Sequence, residues 1–316
     1  MSEAPEVSVV VPTRNRWALL ERTVASALAQ QDVALELLVV DDGSTDETAA
    51  RLAELADPRV RVLRLEGGGG PARARNAGLA IARGTWVAFL DDDDLWSPCK
   101  LRSQLDAAAL EGATYVYGAA AVFDHHCGVR EVIAAPDPGT VRREVLSRNV
   151  IPGGCSNLIA RTEAVRAVGG FDERLWTLAD WDLWIRVAQT GPGAACPDIL
   201  VGYRRHPDSM VLRGAADAVA ELTLLMAKHR ELARSAGARQ GPSATYRYFA
   251  RAHRRAGRMR HAARLYLAAA RSDHRPGDLL RAIVVLLGPV GSWLSGVRRG
   301  TPSEPVVPPP WLTPYL

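Results

Sequence analysis

The first part of the chain alternates short apolar runs with stretches whose apolar residues recur at helical spacing. Short apolar runs bounded by turn residues are typical of buried strands, and they cover residues 7–11, 35–40, 60–65 and 86–90. The intervening helices are predicted over residues 17–29, from Ser44 or Thr45 as the cap to about residue 55, and over 71–82. Strands and helices that alternate with short connections predict an α/β fold with a doubly wound, mainly parallel sheet.

The pattern changes in the second half of the chain. Strands are predicted over residues 115–123 and 156–160, followed by a helix over about 179–189. From residue 214 to 300 the sequence is rich in alanine and arginine and predicts a basic helical extension. Within it, residues 246–256 and 261–270 resemble one tetratricopeptide-type helical hairpin, too little for a repeat array. The residues of the C-terminal tail, 301–316, are rich in proline and are predicted to be extended or disordered over 302–314.

Composition narrows the function classes. Hydrophobic residues make up 47% of the chain, enough for a buried core, and the net charge is +4. The basic excess is concentrated after Arg204, which favours an anionic partner, but no nucleic-acid recognition motif accompanies it, so no nucleic-acid partner is expected. Four widely spaced cysteines with no CxxC pair indicate neither a disulfide framework nor a zinc site: Cys99, Cys127, Cys155 and Cys196. No signal-peptide pattern opens the chain, so we expect a cytoplasmic protein.

Polar residues follow three of the predicted strands directly. Residues 12–14, the pair Asp41-Asp42 and the run 91–94 all stand where a strand ends, and the carboxyl ends of parallel strands meet at one edge of a sheet. Four adjacent carboxylates repel one another, and a hard cation such as Mg²⁺ or Mn²⁺ relieves that repulsion. Side chains alternate along an extended chain, so not all four can be ligands. The alternative is a solvated acidic turn that caps a helix near Ser97.

Several motifs occur in a fixed order and together resemble a known family. They are SVVVPTRNR within residues 7–16, LLVVDDGSTD at 37–46, ARNAG at 74–78, AFLDDDDLW at 88–96, ADWDLW at 179–184 and YRRH at 203–206. The set resembles the family 2 inverting glycosyltransferases, which have the GT-A nucleotide-diphospho-sugar transferase fold. The resemblance covers about residues 6–212. It implies a GT-A catalytic domain over 1–213, with nucleotide-sugar binding over about 6–120 and the acceptor side over about 121–213.

The resemblance also implies donor-binding residues. Asp41 corresponds to the aspartate that recognises the nucleobase, and Pro12, Thr13 and Arg14 to the segment along the nucleoside. Arg75 is a planar donor suited to phosphate or base edges. Asp91 and Asp92 are expected to contact the donor as well. The alternatives are an Asx turn for Asp41 and exposed surface cations for Arg14 and Arg75.

Metal binding and catalysis are assigned by the same resemblance. Asp93 is the expected metal ligand, joined by His206, whose alternative is a plain loop histidine; Asp94 is expected to be a helix cap. Inverting transfer needs a general base, which the family places at the start of a helix, and this position falls on Asp180. The residue before it is Ala179, where the family usually has glutamate, which weakens inference about the acceptor. The alternative for Asp180 is an acid favoured by the helix dipole.

Two further features lie on the acceptor side. Residues 153–157, Gly-Gly-Cys-Ser-Asn, form either an acceptor loop or only a tight turn. Trp181 and Trp184 lie three residues apart and either flank a sugar or pack in the core, with core packing favoured for Trp184.

These residues predict a metal-assisted glycosyltransferase that moves a sugar from a nucleotide diphosphate, with a UDP-sugar as the expected donor, to an acceptor hydroxyl with inversion. The acceptor is expected to be a sugar, a lipid-linked molecule or a small molecule. Two alternatives stay open: a sugar nucleotidyltransferase, whose glycine-rich basic motif residues 12–16 lack, and an inactive sugar-nucleotide-binding scaffold. The helical extension is a candidate for peripheral contact with the inner face of a membrane, although its apolar stretch 279–297 is interrupted at Gly288-Pro289 and too short to span one.

Overall fold

A computed structural model describes residues 4–124, 128–206, 209–212, 214–294 and 306–316 of the chain. Within them the strands are β1 Val7–Thr13, β2 Leu35–Asp41, β3 Val60–Arg64, β4 Trp86–Phe89, β5 Leu95–Trp96, β6 Tyr115–Asp124, β7 Gly128–Ile133, β8 Ile159–Arg161 and β9 Gly193–Arg204. The helices are α1 Trp17–Leu28, α2 Thr48–Ala53, α3 Pro71–Ile81, α4 Lys100–Glu111, α5 Pro138–Glu144, α6 Thr162–Ala167, α7 Ala179–Val187, α8 Ala215–Lys228, α9 Arg230–Ser235, α10 Ser243–Arg255, α11 Met259–Asp273 and α12 Pro276–Leu294.

The strands form one sheet in the order β3-β2-β1-β4-β8-β6-β9-β5, with β7 paired to β6. Strands β3, β2, β1 and β4 are parallel to one another, and β6 is parallel to β9. Strand β8 is antiparallel to both of its neighbours, and β5 and β7 are antiparallel to theirs. The prediction of an α/β fold with a mainly parallel sheet is therefore confirmed.

The central strands are buried on both faces, which explains their continuous apolar sequences. Val7, Val9 and Val11 of β1 pack with Leu20 and Val24 of α1 in one core cluster. Alternate residues point the other way, where helix α3 lies against the sheet. A Cβ added to Gly78 of α3 would meet Val10 Cγ1 at 2.4 Å and Val40 Cγ2 at 3.2 Å, so this helix approaches β1 and β2 through a missing side chain.

Two predicted boundaries were wrong. Helix α2 begins at Thr48, without a side-chain cap from Ser44 or Thr45, because Ser44 Oγ accepts a hydrogen bond from the backbone N–H of Asn15 instead. The strand predicted over 156–160 begins three residues later, as β8 at Ile159, because Ser156 ends a 3₁₀ turn, Gly154–Ser156. Both stretches bond to distant residues, which local pattern does not reveal.

The chain divides into two compact units. The first comprises residues 1–142, 150–205 and 306–316, and the second residues 143–149 and 206–305. In the second unit, α10, α11 and α12 pack side by side, and α12 continues through Gly288 and Pro289, where we predicted a break. No helix of the described residues is long and apolar enough to cross a membrane.

The described part of the C-terminal tail, residues 306–316, packs on the first unit, which corrects the prediction of an extended or disordered tail. Leu312 is fully buried in a cluster with Leu95, Phe123 and Val129, and Trp311 donates its indole N–H to the carbonyl oxygen of Ile199 at 3.0 Å. Burial of these apolar side chains stabilises the ordered position of the tail. The proline-rich composition alone does not reveal this stabilisation.

The close approach of α3 to the sheet generates a stability prediction. We expect Gly78→Val to lower the free energy of unfolding by roughly 1–3 kcal/mol, because the added atoms overlap Val10. Chemical denaturation followed by tryptophan fluorescence measures this. The matched control is Ala80→Val, which adds a valine at an exposed position of the same helix. Valine has a higher helix propensity than glycine, so a loss of stability in Gly78→Val cannot come from helix propensity. A midpoint above the wild-type value would contradict the packing argument.

Candidate functional site

The carboxyl ends of β1, β2 and β4 meet at one edge of the sheet. Thr13 pairs with Asp41 in the register of β1 and β2, and the backbone N–H of Leu90, just after β4, donates to the carbonyl oxygen of Val10 at 3.0 Å. The hydroxyl of Thr13 donates to Asp92 Oδ2 at 2.8 Å. The predicted convergence of these strand-end residues is therefore present in the structure.

Arg16 holds the middle of the aspartate run. Its Nη1 donates to Asp92 Oδ1 at 3.0 Å and to Asp93 Oδ2 at 3.1 Å. Burial and the neighbouring charge of Asp93 raise the pKa of Asp92 to about 6, against the opposing effects of Arg16 and Thr13. Sequence reasoning missed Arg16. The signal available was a cation just beyond the end of β1, at the sheet edge that also carries the acidic run.

Asp94 is not a helix cap, which corrects the prediction. Helix α4 begins only at Lys100, and the Asp94 side chain is fully buried. Asp94 Oδ2 accepts from Ser156 Oγ at 2.6 Å, and Oδ1 accepts from the backbone N–H of Arg204 at 2.9 Å. Burial and nearby carboxylates raise the pKa of Asp94 well above its usual range. Ser156 Oγ also accepts from the backbone N–H of Asp91 at 3.0 Å, so this serine orders both ends of the run.

Arg75 is buried rather than an exposed surface cation. Its side chain is 3% exposed, and Nη2 lies 2.5 Å from Asp91 Oδ1. The guanidinium also lies over the ring of Phe171, 5.3 Å from its centroid. Burial alone would lower the pKa of Arg75, but the acidic groups of Cys155, Asp91 and Asp180 outweigh it and raise the pKa. The Nε atom is buried without a hydrogen-bond partner, which leaves one guanidinium donor unsatisfied.

Asp180 lies in the first turn of α7, and its Oδ1 accepts the backbone N–H of Trp181 at 2.6 Å. A Cβ on Gly154 would lie 3.5 Å from Asp180 Oδ2, so the 3₁₀ turn runs directly beside this carboxylate. Gly153 and Gly154 both have positive φ, which a side chain would oppose. Residues 153–157 thus form a tight turn that connects Asp180 to the aspartate run through Ser156. Trp181 and Trp184 are both buried in the core.

The two strand-end aspartates of β2 behave differently. Asp42 is buried and accepts the backbone N–H groups of Gly69 and Gly70 at 3.0 and 2.7 Å, which fixes the glycine-rich loop. Asp41 Oδ1 accepts the backbone N–H of Ser44, three residues on, at 2.8 Å, so this oxygen bonds the backbone of its own loop, although not in the two-residue spacing of an Asx turn. Asp41 Oδ2, however, is buried without a hydrogen-bond partner, and Arg64 Nη1 lies 3.6 Å from it.

The remaining donor-side residues differ in exposure. Pro12 is buried in β1 opposite Val40, and Arg14 is exposed, with its guanidinium over Gly68. His206 belongs to the second compact unit and is not part of the geometry given above.

The three described cysteines, Cys99, Cys155 and Cys196, are free thiols; Cys127 lies outside the described residues.

Whether the aspartate run can bind a hard cation depends on which of its carboxylates are accessible. Asp91 and Asp93 keep 18% and 15% of their side chains exposed, whereas Asp92 and Asp94 are more deeply buried. Across the described residues, no group of three or more His, Cys, Asp or Glu side chains is arranged to hold a metal. Mg²⁺ commonly takes only one or two carboxylates and completes its shell with phosphate oxygens and water. The partly exposed carboxylate oxygens of Asp91 and Asp93 fit that kind of site.

Solved structures with a similar fold include the Staphylococcus aureus protein TarS, residues 1–349, in complex with UDP-GlcNAc. The TM-score is 0.55 at 17% identity, and the match covers 93% of this chain and 76% of that one. The likeness at this identity concerns the fold.

Curated relatives share more of the sequence. The Escherichia coli UDP-Glc:alpha-D-GlcNAc-diphosphoundecaprenol beta-1,3-glucosyltransferase WfgD is 29% identical over 206 residues, which are 65% of this chain and 79% of WfgD. The succinoglycan biosynthesis protein ExoO of Rhizobium meliloti is 44% identical over 113 residues, which are 36% of this chain and 32% of ExoO. The chain thus spans about a third of ExoO.

The family model described as Glycosyl transferase family 2 matches residues 8–168. This range contains β1 to β4, the aspartate run and the Gly154–Ser156 turn, and it ends before Asp180. With these matches and the GT-A type sheet, the chain belongs to glycosyl transferase family 2 and is a glycosyltransferase.

Proposed function

We propose that this glycosyltransferase moves a sugar from a UDP-sugar to an acceptor hydroxyl with inversion, with Asp180 as the general base and a divalent cation at the aspartate run. One observation carries the proposal. The ion pair of Arg75 and Asp91 and the carboxylate of Asp180 are brought together around one turn, Gly154–Ser156, at the carboxyl edge of the sheet.

The donor side is supported by Asp41. A uracil ring offers one ring N–H beside two carbonyl oxygens, and the buried Asp41 Oδ2 is an acceptor that lacks a hydrogen-bond donor. A buried acceptor without a partner is costly, and a ligand N–H relieves that cost. TarS binds UDP-GlcNAc and WfgD is named for a UDP-Glc donor, which favours uridine here. Pro12, Thr13 and Arg14 border the same edge, and Arg75, Asp91 and Asp92 stay our predicted donor contacts.

The chemistry is a single displacement. The acceptor hydroxyl gives its proton to the Asp180 carboxylate as its oxygen forms a bond to the anomeric carbon. The bond from that carbon to the diphosphate oxygen breaks, and the nucleotide diphosphate leaves with the electron pair. The hydrogen bond from Trp181 to Oδ1 fixes the orientation of the Asp180 carboxylate before the acceptor arrives. A single base suffices, and no covalent sugar–enzyme intermediate is needed.

Mg²⁺ or Mn²⁺ would be held by Asp93, with the neighbouring oxygen of Asp91 available to it. Such an ion supplies Lewis-acid stabilisation of the departing diphosphate. Arg16 shares Asp93 with this proposed site, and Arg75 offers a second positive charge on the Asp91 side. His206 stays a predicted additional ligand.

The acceptor is proposed by analogy with the relatives. WfgD and a second Escherichia coli relative, WfaP, which is 34% identical over 111 residues, are named for a diphosphoundecaprenol-linked sugar. ExoO is named for succinoglycan biosynthesis. We propose a sugar carried on a lipid diphosphate as the acceptor, in polysaccharide assembly.

Asp180→Asn tests the base. We expect transfer to fall by about 10²–10⁴-fold, because an amide cannot accept the hydroxyl proton. UDP-sugar affinity, measured by calorimetry on the same variant, serves as the control and is expected to stay near the wild-type value. Transfer at the wild-type rate would show that Asp180 is not the base.

Asp93→Ala tests the metal site. In the wild type, Mn²⁺ is expected to strengthen UDP binding, and the variant should lose that enhancement because a carboxylate ligand is gone. Calorimetric titration of UDP with Mn²⁺ and with EDTA, for both proteins, gives the comparison. Asp106→Asn, a remote exposed carboxylate, is the matched control. An equal Mn²⁺ enhancement in Asp93→Ala and wild type would remove Asp93 from the metal site.

Asp41→Asn tests the nucleobase contact. In this variant the Ser44 N–H still donates to the side-chain oxygen of the introduced amide, so the amide NH₂ takes the position of Oδ2. The NH₂ group and the ring N–H of the nucleobase are then two donors that face each other without an acceptor. We expect UDP affinity to fall roughly 10–100-fold, the loss of a hydrogen bond to a charged group. Asp46→Asn, on the exposed part of the same loop, should bind UDP as the wild type does. If Asp41→Asn bound UDP with unchanged affinity, the nucleobase would not contact Asp41.

A further inference from the structure

Helix α12 in the second compact unit is apolar on a side that no described residue covers. Its buried side is formed by Asp278, Ala282 and Val285. The opposite side carries large apolar side chains that are each between 45% and 58% exposed, Leu279, Leu280, Ile283, Leu286 and Leu287. We call these five residues the leucine face. Contiguous exposed apolar patches on soluble proteins commonly mark sites of interaction with another protein or with a membrane.

The same three-helix segment carries a large excess of positive charge. Residues 243–287 contain two aspartates, Asp273 and Asp278, and both accept hydrogen bonds from Arg247. Against them stand ten arginines, Arg247, Arg251, Arg254, Arg255, Arg258, Arg260, Arg264, Arg271, Arg275 and Arg281. Arg275, directly before α12 and four residues ahead of Leu279, is 71% exposed.

We propose that the leucine face of α12, together with the positive charge of the α10 to α12 segment, docks on the surface of an anionic phospholipid bilayer. A helix with exposed leucines on one side, in a segment rich in arginine, is typical of segments that lie in the membrane interface. Either signal alone gives marginal binding, whereas apolar insertion and attraction to anionic headgroups together give stable binding. Charge complementarity selects the anionic lipid surface over a neutral apolar partner. The proposal concerns the second unit alone and does not depend on the transfer chemistry.

Co-sedimentation of the full chain with vesicles tests the apolar contribution. Wild type should bind phosphatidylglycerol vesicles, and the triple variant Leu280→Gln, Ile283→Gln, Leu287→Gln should bind at least about tenfold more weakly. Leu110→Gln, which removes an exposed leucine from α4, is the matched control and should bind as wild type does. Calorimetric UDP affinity and the thermal midpoint report folding of each variant. Should the triple variant misfold, the single variant Ile283→Gln must show an intermediate loss.

Headgroup charge and arginine variants test the electrostatic contribution. Binding to phosphatidylcholine vesicles should be weaker, and Arg271→Gln with Arg275→Gln should lower binding to phosphatidylglycerol by about fivefold per arginine. Arg174→Gln, an exposed arginine of the first unit, is the control. Equal binding of wild type and the triple variant, or no wild-type binding at all, would overturn the proposal. So would a wild-type oligomer that the triple variant converts to a monomer, since the leucine face would then join two copies of the chain.

Discussion

The buried carboxylate of Asp94 is the interaction on which the rest of the site depends. It joins the aspartate run to the Gly154–Ser156 turn through Ser156 and to the last residue of β9 through the backbone N–H of Arg204. A carboxylate removed from water needs such partners, because burial and the neighbouring charges of Asp93 and Asp91 oppose its ionised form and raise its pKa. The Ser156 hydroxyl also accepts a hydrogen bond from the backbone N–H of Asp91. It therefore fixes the position of Asp91, which forms the ion pair with Arg75.

Glycines allow the backbone to come close enough for these contacts. Positive φ at Gly153 and Gly154 turns the chain so that Ser156 faces the aspartate run while the turn lies beside Asp180. On the donor side, Asp42 fixes Gly69 and Gly70, and a Cβ at Gly70 would come 2.8 Å from the ring of Trp176. Both sides of the site are therefore set by backbone conformation, and the ionisable side chains are placed on a rigid frame.

The elements that local periodicity determines were predicted well. Strands β1 to β4 and helix α3 lie within one or two residues of the predicted bounds, and their order led to the correct sheet. The failures depend on contacts between distant residues. Asp94 bonds to residues 62 and 110 positions away, so no local pattern separates it from a helix cap. Leu312 is buried only because the sheet offers it an apolar surface. The ion pairs of Arg16 and the burial of Arg75 likewise arise only in the folded protein, where distant charged residues come together.

That arrangement has a consequence for the proposed reaction. In the structure, Arg16 pairs with Asp92 and Asp93, and Arg75 pairs with Asp91 while its buried Nε has no hydrogen-bond partner. At the proposed site a cation would compete with Arg16 for Asp93, and a diphosphate would compete with Asp91 for Arg75. Either exchange alone leaves a buried charge less compensated, which is costly in a site of low dielectric. Arrival of both together would replace each lost ion pair, so, on the function proposed above, we expect a metal and a diphosphate to bind together more tightly than either binds alone.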